Sequence, residues 1–480
     1  MPTDIRTDEI PPDDVARLFS ALATRADRIP LGTAEAARRL GEHRRHRFVA
    51  ICLALAVILA SATGVLVLGS GRPRVATPAV PPIGPAHFIA LREVGSLTMD
   101  PVDLDPVPPQ APRPAEARTV FTSIVIDNDT AYVARGAGGI PTLVGALDLT
   151  TGQPAFPTLD LGDWTQVREF TLVGDNLLLS GVAPGGPVIV VLNARTGIAR
   201  WTRPVAADAT LAGLSDALVI YAAGTLTAFD WTSGALLWSR SADAGRGLLQ
   251  VQRAAPEGAQ PLGSMPIDPT DQRLIAVSPR GTVDVIDVLT GLSRTTFSIE
   301  NPEYLFAVGG TLYVGAAERL LSYPLAGPGT ATLIASGVVR ANYCGRDLIC
   351  TLGSTGQFAA IDANTGTSVA RLRLGAVATA SGDGFLGPYG SVYDRSGAPI
   401  SPDSGHLPVW WVGPGSVLTF DPVGPTAEQP VTVGGLSTTG ASWTSLGQLP
   451  AVPVQRCGAD RHYLVCAFRD GFRAWQFAAT

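Results

Sequence analysis

The stretch Ala146-Leu-Asp-Leu-Thr-Thr-Gly152 decides the fold, because variants of it recur along the 480-residue chain. In every full copy a short apolar run ends in Asp or Asn, two residues follow, and then comes Thr-Gly or Ser-Gly. The further copies are Val191–Gly197, Ala228–Gly234, Val285–Gly291, Ala360–Gly366 and the shortened Val392–Gly397. Successive Asp or Asn positions lie 45, 37, 57, 75 and 32 residues apart, and a degenerate copy, Leu320–Gly327, falls within the longest interval. Such self-similarity is the signature of a repeat architecture.

Each copy has the chemistry of a tight turn between two strands. An Asp or Asn side chain accepts hydrogen bonds from the backbone two residues further on, and glycine adopts the positive φ that closes such a turn. We therefore assign a turn role to Asp148, Gly152, Asn193, Gly197, Asp230, Gly234, Asp287, Gly291, Asp362 and Gly366.

The residues between the turns indicate an all-β fold. Another short alternating strand precedes most copies, as in Leu218–Tyr221 and Leu274–Val277. Each repeat thus supplies about four short strands without a helical segment between them, and a four-stranded unit repeated radially is a β-propeller. We predict a propeller over residues 119–480 with eight blades, or seven with longer loops, closed by Phe472–Phe477 against the first blade.

The repeat resembles that of propellers related to pyrroloquinoline-quinone enzymes, in which an aromatic residue stands four positions after the glycine. That residue is present as Phe156, Trp201 and Trp238, and is replaced by Thr295 and Ala370 in later copies. The family includes quinone-dependent dehydrogenases as well as non-enzymatic outer-membrane assembly lipoproteins. The enzymes carry adjacent cysteines, which this chain lacks, and we place no quinone or calcium ligands. The resemblance therefore implies a propeller without catalytic residues, cofactor or metal, with a quinone-dependent dehydrogenase as the alternative.

The N-terminal part of the chain predicts a membrane anchor. Phe48–Leu68 contains no charge and no proline, and roughly 20 apolar residues span a bilayer. Five arginines lie within the ten residues before this stretch, whereas only Arg72 and Arg74 follow it closely, so we expect the N-terminus in the cytoplasm and the propeller outside. Cleavage after Ala62 is the alternative. The predicted order is a cytoplasmic tail (1–47), a transmembrane helix (48–70), a Pro-rich linker (71–118) and the propeller (119–480).

The tail and the linker carry two further hypotheses. The tail has short helical patterns, and with its anchor it resembles actinobacterial anti-sigma-type membrane proteins, which implies a possible cytoplasmic partner or a role in transmembrane signalling. Within the linker, His87–Arg92 has the pattern of a strand that the propeller domain could recruit.

The composition excludes two classes of protein. The chain has a net charge of −6 and no lysine, which argues against binding nucleic acid through a basic face. Charged residues make up 16% and hydrophobic residues 46% of the chain, which is not the composition of a disordered protein.

Four cysteines fall into two similar patterns, Cys344–Cys350 and Cys457–Cys466, each with one cysteine on either arm of a predicted hairpin. This placement brings the Cα atoms within bridging distance, so we predict the disulfide bonds Cys344–Cys350 and Cys457–Cys466. Zinc is the alternative, although the spacing is not that of a zinc site. Disulfide bonds agree with a location outside the cytoplasm.

The long inserts Asp243–Ile267 and Pro399–Pro414 are the candidate contact loops, because propeller recognition usually resides in loops on a rigid frame. Trp410 and Trp411 lie in the second insert and are possible contact residues, with packing between blades as the alternative. We therefore predict a non-catalytic protein-binding or assembly scaffold with a protein partner on the extracytoplasmic side of the membrane.

Overall fold

The structure is a computed structural model that describes residues 86–100 and 121–479, apart from 128, 138–139, 246, 253–259, 262–270, 328, 346–347, 373–378, 382–383, 387–391, 395, 402–406, 414, 422–428 and 438–441. The predicted tail, the transmembrane segment and most of the linker lie outside these residues. Within the described part of the chain, no helix is both long and apolar enough to cross a membrane.

The described residues are almost entirely β-structure, with one turn of 3₁₀ helix at Val454–Arg456. In chain order the strands are β1 (Phe88–Thr98), β2 (Phe121–Asp127), β3 (Thr130–Ala137), β4 (Ile140–Asp148), β5 (Pro154–Asp160), β6 (Gln166–Val173), β7 (Asn176–Ala183), β8 (Gly186–Asn193), β9 (Ala199–Pro204), β10 (Thr210–Gly213), β11 (Leu218–Ala222), β12 (Thr225–Phe229), β13 (Leu236–Ser241), β14 (Gly247–Gln252), β15 (Gln260–Pro261), β16 (Arg273–Val277), β17 (Thr282–Asp287), β18 (Ser293–Ser298), β19 (Tyr304–Val308), β20 (Thr311–Ala316), β21 (Arg319–Pro324), β22 (Thr332–Ser336), β23 (Val338–Gly345), β24 (Leu348–Gly353), β25 (Phe358–Asp362), β26 (Ser368–Leu372), β27 (Thr379–Ser381), β28 (Gly384–Leu386), β29 (Val392–Asp394), β30 (Pro399–Ser401), β31 (Leu407–Gly413), β32 (Ser416–Asp421), β33 (Val431–Ser437), β34 (Ser442–Leu449), β35 (Cys457–Ala459), β36 (Tyr463–Phe468) and β37 (Gly471–Ala478).

The strands form successive four-stranded antiparallel meanders, which are the blades of a propeller. Six of them are separate sheets in the described residues, namely β2–β5, β6–β9, β10–β13, β23–β26, β27–β30 and β35–β37 with β1. An eight-stranded sheet joins the meander of β14 and β16–β18 to β19–β22, and a five-stranded sheet adds β15 to β31–β34. The predicted all-β propeller is confirmed.

The predicted blade count of eight, or alternatively seven, is wrong. Beside the six separate four-stranded blades, three more meanders lie in the eight-stranded and five-stranded sheets. Two of the repeats share one sheet because β14 pairs in parallel with β19, at Val251 with Ala307 and at Gln252 with Val308. The meanders after residue 401 lack the Asp–Gly phrase, so counting that phrase does not count them.

The hydrophobic core lies between neighbouring blades. On β7, Leu177 and Leu179 pack against the preceding blade, whereas Leu178 packs against the following one, and all three are fully buried. Second strands are therefore apolar on both faces, unlike strands of a sheet with one solvated face. In fourth strands such as β9 and β13, exposed residues alternate with partly buried ones.

The last sheet is completed by a strand from the other end of the described chain. β1 pairs antiparallel with β37, from Phe88 opposite Ala478 to Thr98 opposite Gly471. The strand expected at His87–Arg92 is thus present as the first five residues of β1, and the C-terminal strand pairs with β1 and β36 while it packs against the first blade.

Arg135 on β3 fixes this closing sheet to the first blade. Its side chain is fully buried and donates to the carbonyl oxygens of Phe468 at 2.9 Å and Arg469 at 3.2 Å, and also to that of Asp100. One guanidinium thus joins the turn between β36 and β37 to Asp100, the second residue after β1.

Removal of β1 should destabilise the propeller. A chain that begins at residue 99 loses the partner of β37 and the buried side chain of Leu97, while a chain that begins at residue 82 keeps both. Loss of the burial of Leu97 and of Phe88 predicts a decrease of more than about 3 kcal/mol in the free energy of unfolding. Thermal unfolding followed by circular dichroism measures this, and equal Tm values for the two chains would contradict it.

Candidate interaction site

The Asp–Gly turns share one geometry. In the first, the Asp148 carboxylate accepts hydrogen bonds from the backbone N–H groups of Thr150 at 2.8 Å and Thr151 at 3.0 Å, and the φ of Gly152 is +70°. Asp230, Asp287 and Asp362 accept the corresponding bonds in their turns. Asn193 does the same with its amide oxygen, so the turn needs the acceptor and not the charge.

Hydrogen bonding also lowers the pKa of these turn carboxyl groups. The Thr150 hydroxyl and the Thr151 N–H hold the pKa of Asp148 below its usual value. The Thr365 N–H lowers the pKa of Asp362 most; burial opposes it, and the Thr365 hydroxyl and the Asn364 N–H lower the pKa further. Both carboxylates are therefore ionised at neutral pH.

The aromatic residue of one blade covers the glycine turn of the next. The Trp201 ring lies against Gly234, where an added Cβ would be 2.7 Å from the ring, and its indole N–H donates to the Trp231 carbonyl at 2.9 Å. Trp238 packs on Gly291 in the same way. Phe156 on Gly197 is the first such contact, without the indole hydrogen bond. The turns thus serve as joints between blades.

A later joint uses different residues. Thr295 stands where the aromatic residue is expected, and its hydroxyl donates to the Gly327 carbonyl at 3.2 Å. Phe297, two positions further along the same face of β18, packs on Gly329. The aromatic contact is therefore kept with a shift of two residues, which a search at fixed spacing misses.

The two inserts chosen as contact loops meet in the structure. β15, from the first insert, pairs antiparallel with β31, from the second, with Gln260 opposite Trp411 and Pro261 opposite Trp410. Since β31 is the first strand of its meander and pairs with β32 on its other edge, β15 occupies the edge that a propeller directs towards its centre. This junction of β15 and β31 is the candidate interaction site.

Trp410 and Trp411 are not exposed contact residues. Trp410 is 3% exposed and packs edge-on against Phe420, in a cluster that includes Trp475 of the closing sheet. Trp411 is fully buried beside Val392 of the preceding blade. Adjacent residues of a strand point to opposite faces, and both faces of this strand are covered by blades.

Two polar atoms on strands of the two inserts are buried. The Trp411 indole nitrogen and the Gln252 side-chain oxygen are buried without a hydrogen-bond partner among the described residues. Gln252 ends β14, which precedes β15 in the same insert. Sequence reasoning gave no sign of either atom.

Both predicted disulfide bonds are present. Cys344–Cys350 joins β23 to β24 with a Cα–Cα distance of 5.7 Å, and Cys457–Cys466 joins β35 to β36 at 4.0 Å. Each bond links the first two strands of its sheet, as the hairpin pattern predicted.

Buried carboxyl groups occur separately from the junction. Burial raises the pKa of Glu169 on β6, and it raises that of Asp460, which accepts hydrogen bonds from the N–H groups of His462 and Tyr463. The described residues contain no group of three or more His, Cys, Asp or Glu side chains arranged to hold a metal ion.

Comparisons with known proteins identify one family. The family model for the outer membrane protein assembly factor BamB matches residues 142–391, just over half of the chain. No curated protein matches at a significant level. Among solved structures, BamB from Moraxella catarrhalis is 15% identical, covering 81% of this chain and 98% of its own, with a TM-score of 0.40. A eukaryotic initiation factor is 11% identical, covering 77% of this chain and 100% of its own, with a TM-score of 0.49.

The joints between blades predict different costs for two glycine substitutions. Gly234 and Gly224 both have positive φ, but only Gly234 faces an aromatic ring, and nothing lies within 4 Å of a Cβ at Gly224. Backbone strain of about 1–2 kcal/mol is expected in both Gly→Ala variants, and overpacking adds about 1–3 kcal/mol in Gly234→Ala. Urea denaturation measures both, and equal losses would show that Trp201 does not constrain the turn.

The acceptor role of the turn residues predicts a pH-dependent difference between two variants. At pH 7, Asp362→Ala should lose about 1 kcal/mol with its hydrogen bonds, whereas Asp362→Asn should lose less, as Asn193 shows. Because the folded pKa of Asp362 is lowered, the carboxylate stabilises the protein above about pH 4, and this stabilisation is lost as the pH falls through the lower folded pKa. Asp362→Asn should therefore destabilise less at pH 3 than at pH 7. Denaturant unfolding at the two pH values tests this, and a larger loss at pH 3 would contradict it.

Proposed function

The chain belongs to the family of the outer membrane protein assembly factor BamB, and from this premise we propose that it is a non-catalytic scaffold that binds another protein outside the cytoplasm. The match of the family model over residues 142–391 carries the proposal. The rigid blades support it, because they hold loops in fixed positions for recognition. The lack of adjacent cysteines in the sequence distinguishes the chain from the quinone-dependent dehydrogenases that its repeat resembles.

The proposed location is the outer side of a membrane, with a single anchor at Phe48–Leu68 and the N-terminus in the cytoplasm. Two disulfide bonds support this location, because cytoplasmic thiols are kept reduced. The 21 uncharged residues of the anchor are long enough to span a bilayer.

The junction of β15 and β31 is the proposed place of recognition. Main-chain pairing between the two inserts holds residues that are distant in sequence at one position of the frame. The Trp side chains of β31 are buried between blades. A partner that binds at this junction therefore contacts the insert between β14 and β16.

Isolation of the full chain from its native membranes tests the scaffold. We expect a partner protein in stoichiometric amount, and we expect it to be lost when residues 253–259 are replaced by a Gly-Ser segment of equal length. The same replacement of residues 422–428, also seven residues, is the control and should retain the partner. Stoichiometric uptake of pyrroloquinoline quinone with calcium, together with dye-linked turnover, would instead establish the dehydrogenase.

Thiol labelling in the source cells tests both the location and the anchor. The chain has five cysteines, four of them in disulfide bonds, so a denatured sample should add one maleimide-polyethylene glycol before reduction, at Cys52, and five after it. Cleavage after Ala62 would give none before reduction and four after it. Five labels before reduction would place the domain in a reducing compartment and contradict the proposal.

A further inference from the structure

Exposed apolar side chains concentrate at one end of the blades. Among the described residues, seven of the eight exposed large hydrophobic side chains lie in, or within three residues after, the connection between the third and fourth strands of a blade. These seven are Ile198, Leu236, Leu237, Leu289, Leu292, Leu333 and Val369. Ile198 and Leu292 are each 68% exposed. We call this side of the propeller, which carries the turns Asp148–Gly152 to Asp362–Gly366, the Asp–Gly face.

The seven side chains belong to five consecutive blades. Ile198 precedes β9, Leu236 begins β13, Leu292 precedes β18, and Leu333 and Val369 lie near the starts of β22 and β26. Side chains spread along an arc suit a broad apolar surface, whereas a bound peptide needs a continuous groove. The eighth exposed side chain, Val339, lies near the start of β23, which is at the opposite end of the blade.

The chain enters the described residues on the same Asp–Gly face. In the closing sheet β37 is the third strand and β1 the fourth, so the start of β1 takes the place of the third-to-fourth turn. Phe88 lies opposite Ala478, and the Ala479 N–H donates to the His87 carbonyl at 3.0 Å. Residues 1–85, with the apolar stretch Phe48–Leu68, therefore continue from this face.

The length of the connection allows this face to reach a membrane. Residues 69–85 separate the apolar stretch from the described residues, and 17 residues span at most about 60 Å when fully extended. The Asp–Gly face, from which the chain leaves, is therefore within reach of a membrane that holds the apolar stretch.

Two arginines on this face are paired with carboxylates. Arg195 contacts Asp175, and Arg294 contacts Asp287. The Asp carboxylates of the turns accept hydrogen bonds from their own backbone. These carboxylates keep their charge, so contact with lipid depends on the apolar side chains and not on attraction between charges.

We propose that the Asp–Gly face lies on the lipid bilayer, with Ile198, Leu292 and their equivalents in the interfacial layer. This inference rests on the proposed membrane anchor. It assigns the partner protein to the propeller centre, where β15 pairs with β31, approached from the opposite face.

Site-specific fluorescence tests this contact in the full chain. Cys52→Ser leaves no free thiol, and Ile198→Cys, Leu292→Cys or Val339→Cys then gives one site for an environment-sensitive dye. The labelled chain is placed in phosphatidylcholine nanodiscs with and without brominated lipid. We expect a blue-shifted emission and a loss of fluorescence to brominated lipid at 198 and 292, and neither at 339, with unchanged thermal unfolding in all three variants.

Three results would overturn the inference. Quenching at 198 and 292 no greater than at 339 shows that this face is not on lipid, while the anchor stands if the chain still resists carbonate extraction. A blue shift without lipid quenching shows that residues 1–85 or a second copy cover the face. Release of the chain by carbonate shows that it has no membrane anchor. This result contradicts both this inference and the membrane part of the proposed function.

Discussion

The pairing of β1 with β37 is the interaction on which the rest of the propeller depends. Each blade is apolar on both faces, so a blade without a neighbour on either side exposes its core to water. The closing sheet takes three strands from the C-terminal end and one from residues 88–98, and its side chains pack against the first blade and against β31–β34. Arg135 adds hydrogen bonds across the same boundary. Every other blade is held between neighbours because this sheet is complete.

Between the blades, a small set of residues repeats the same contact. A ring from one fourth strand rests on the glycine of the next turn, where no Cβ fits, and indole N–H groups donate to backbone carbonyls of the adjacent blade. These joints lie near the rim and leave the first strands free to vary. Because the aromatic–glycine contacts involve fourth strands and β31 is a first strand, β15 pairs with β31 without displacing those contacts.

The sequence allowed the turns, the propeller class and both disulfide bonds to be predicted because each depends on local chemistry. Asp362 and Gly366 specify a turn by themselves, and Cys457 lies directly opposite Cys466 on a short hairpin. The blade count depends on the meanders after residue 401, which lack the Asp–Gly phrase, and no local pattern records the pairing of Val251 with Ala307 that joins two meanders into one sheet. The same is true of the site: the two inserts were recognisable as long connections, but their meeting through Gln260 and Trp411 was not. Two adjacent tryptophans suggested an exposed residue, and only the enclosure of β31 on both faces accounts for the burial of both.

The closing sheet also sets how the domain bears mechanical load. A pull transmitted along the chain before residue 86 acts along the axis of β1, and the antiparallel register with β37 places its hydrogen bonds across that direction. The bonds are then loaded together in shear instead of being opened one after another from the end. Cys457–Cys466 ties β36 to β35 on the far side of the same sheet. Force from the N-terminal segment therefore enters the propeller through the sheet that its own covalent cross-link reinforces.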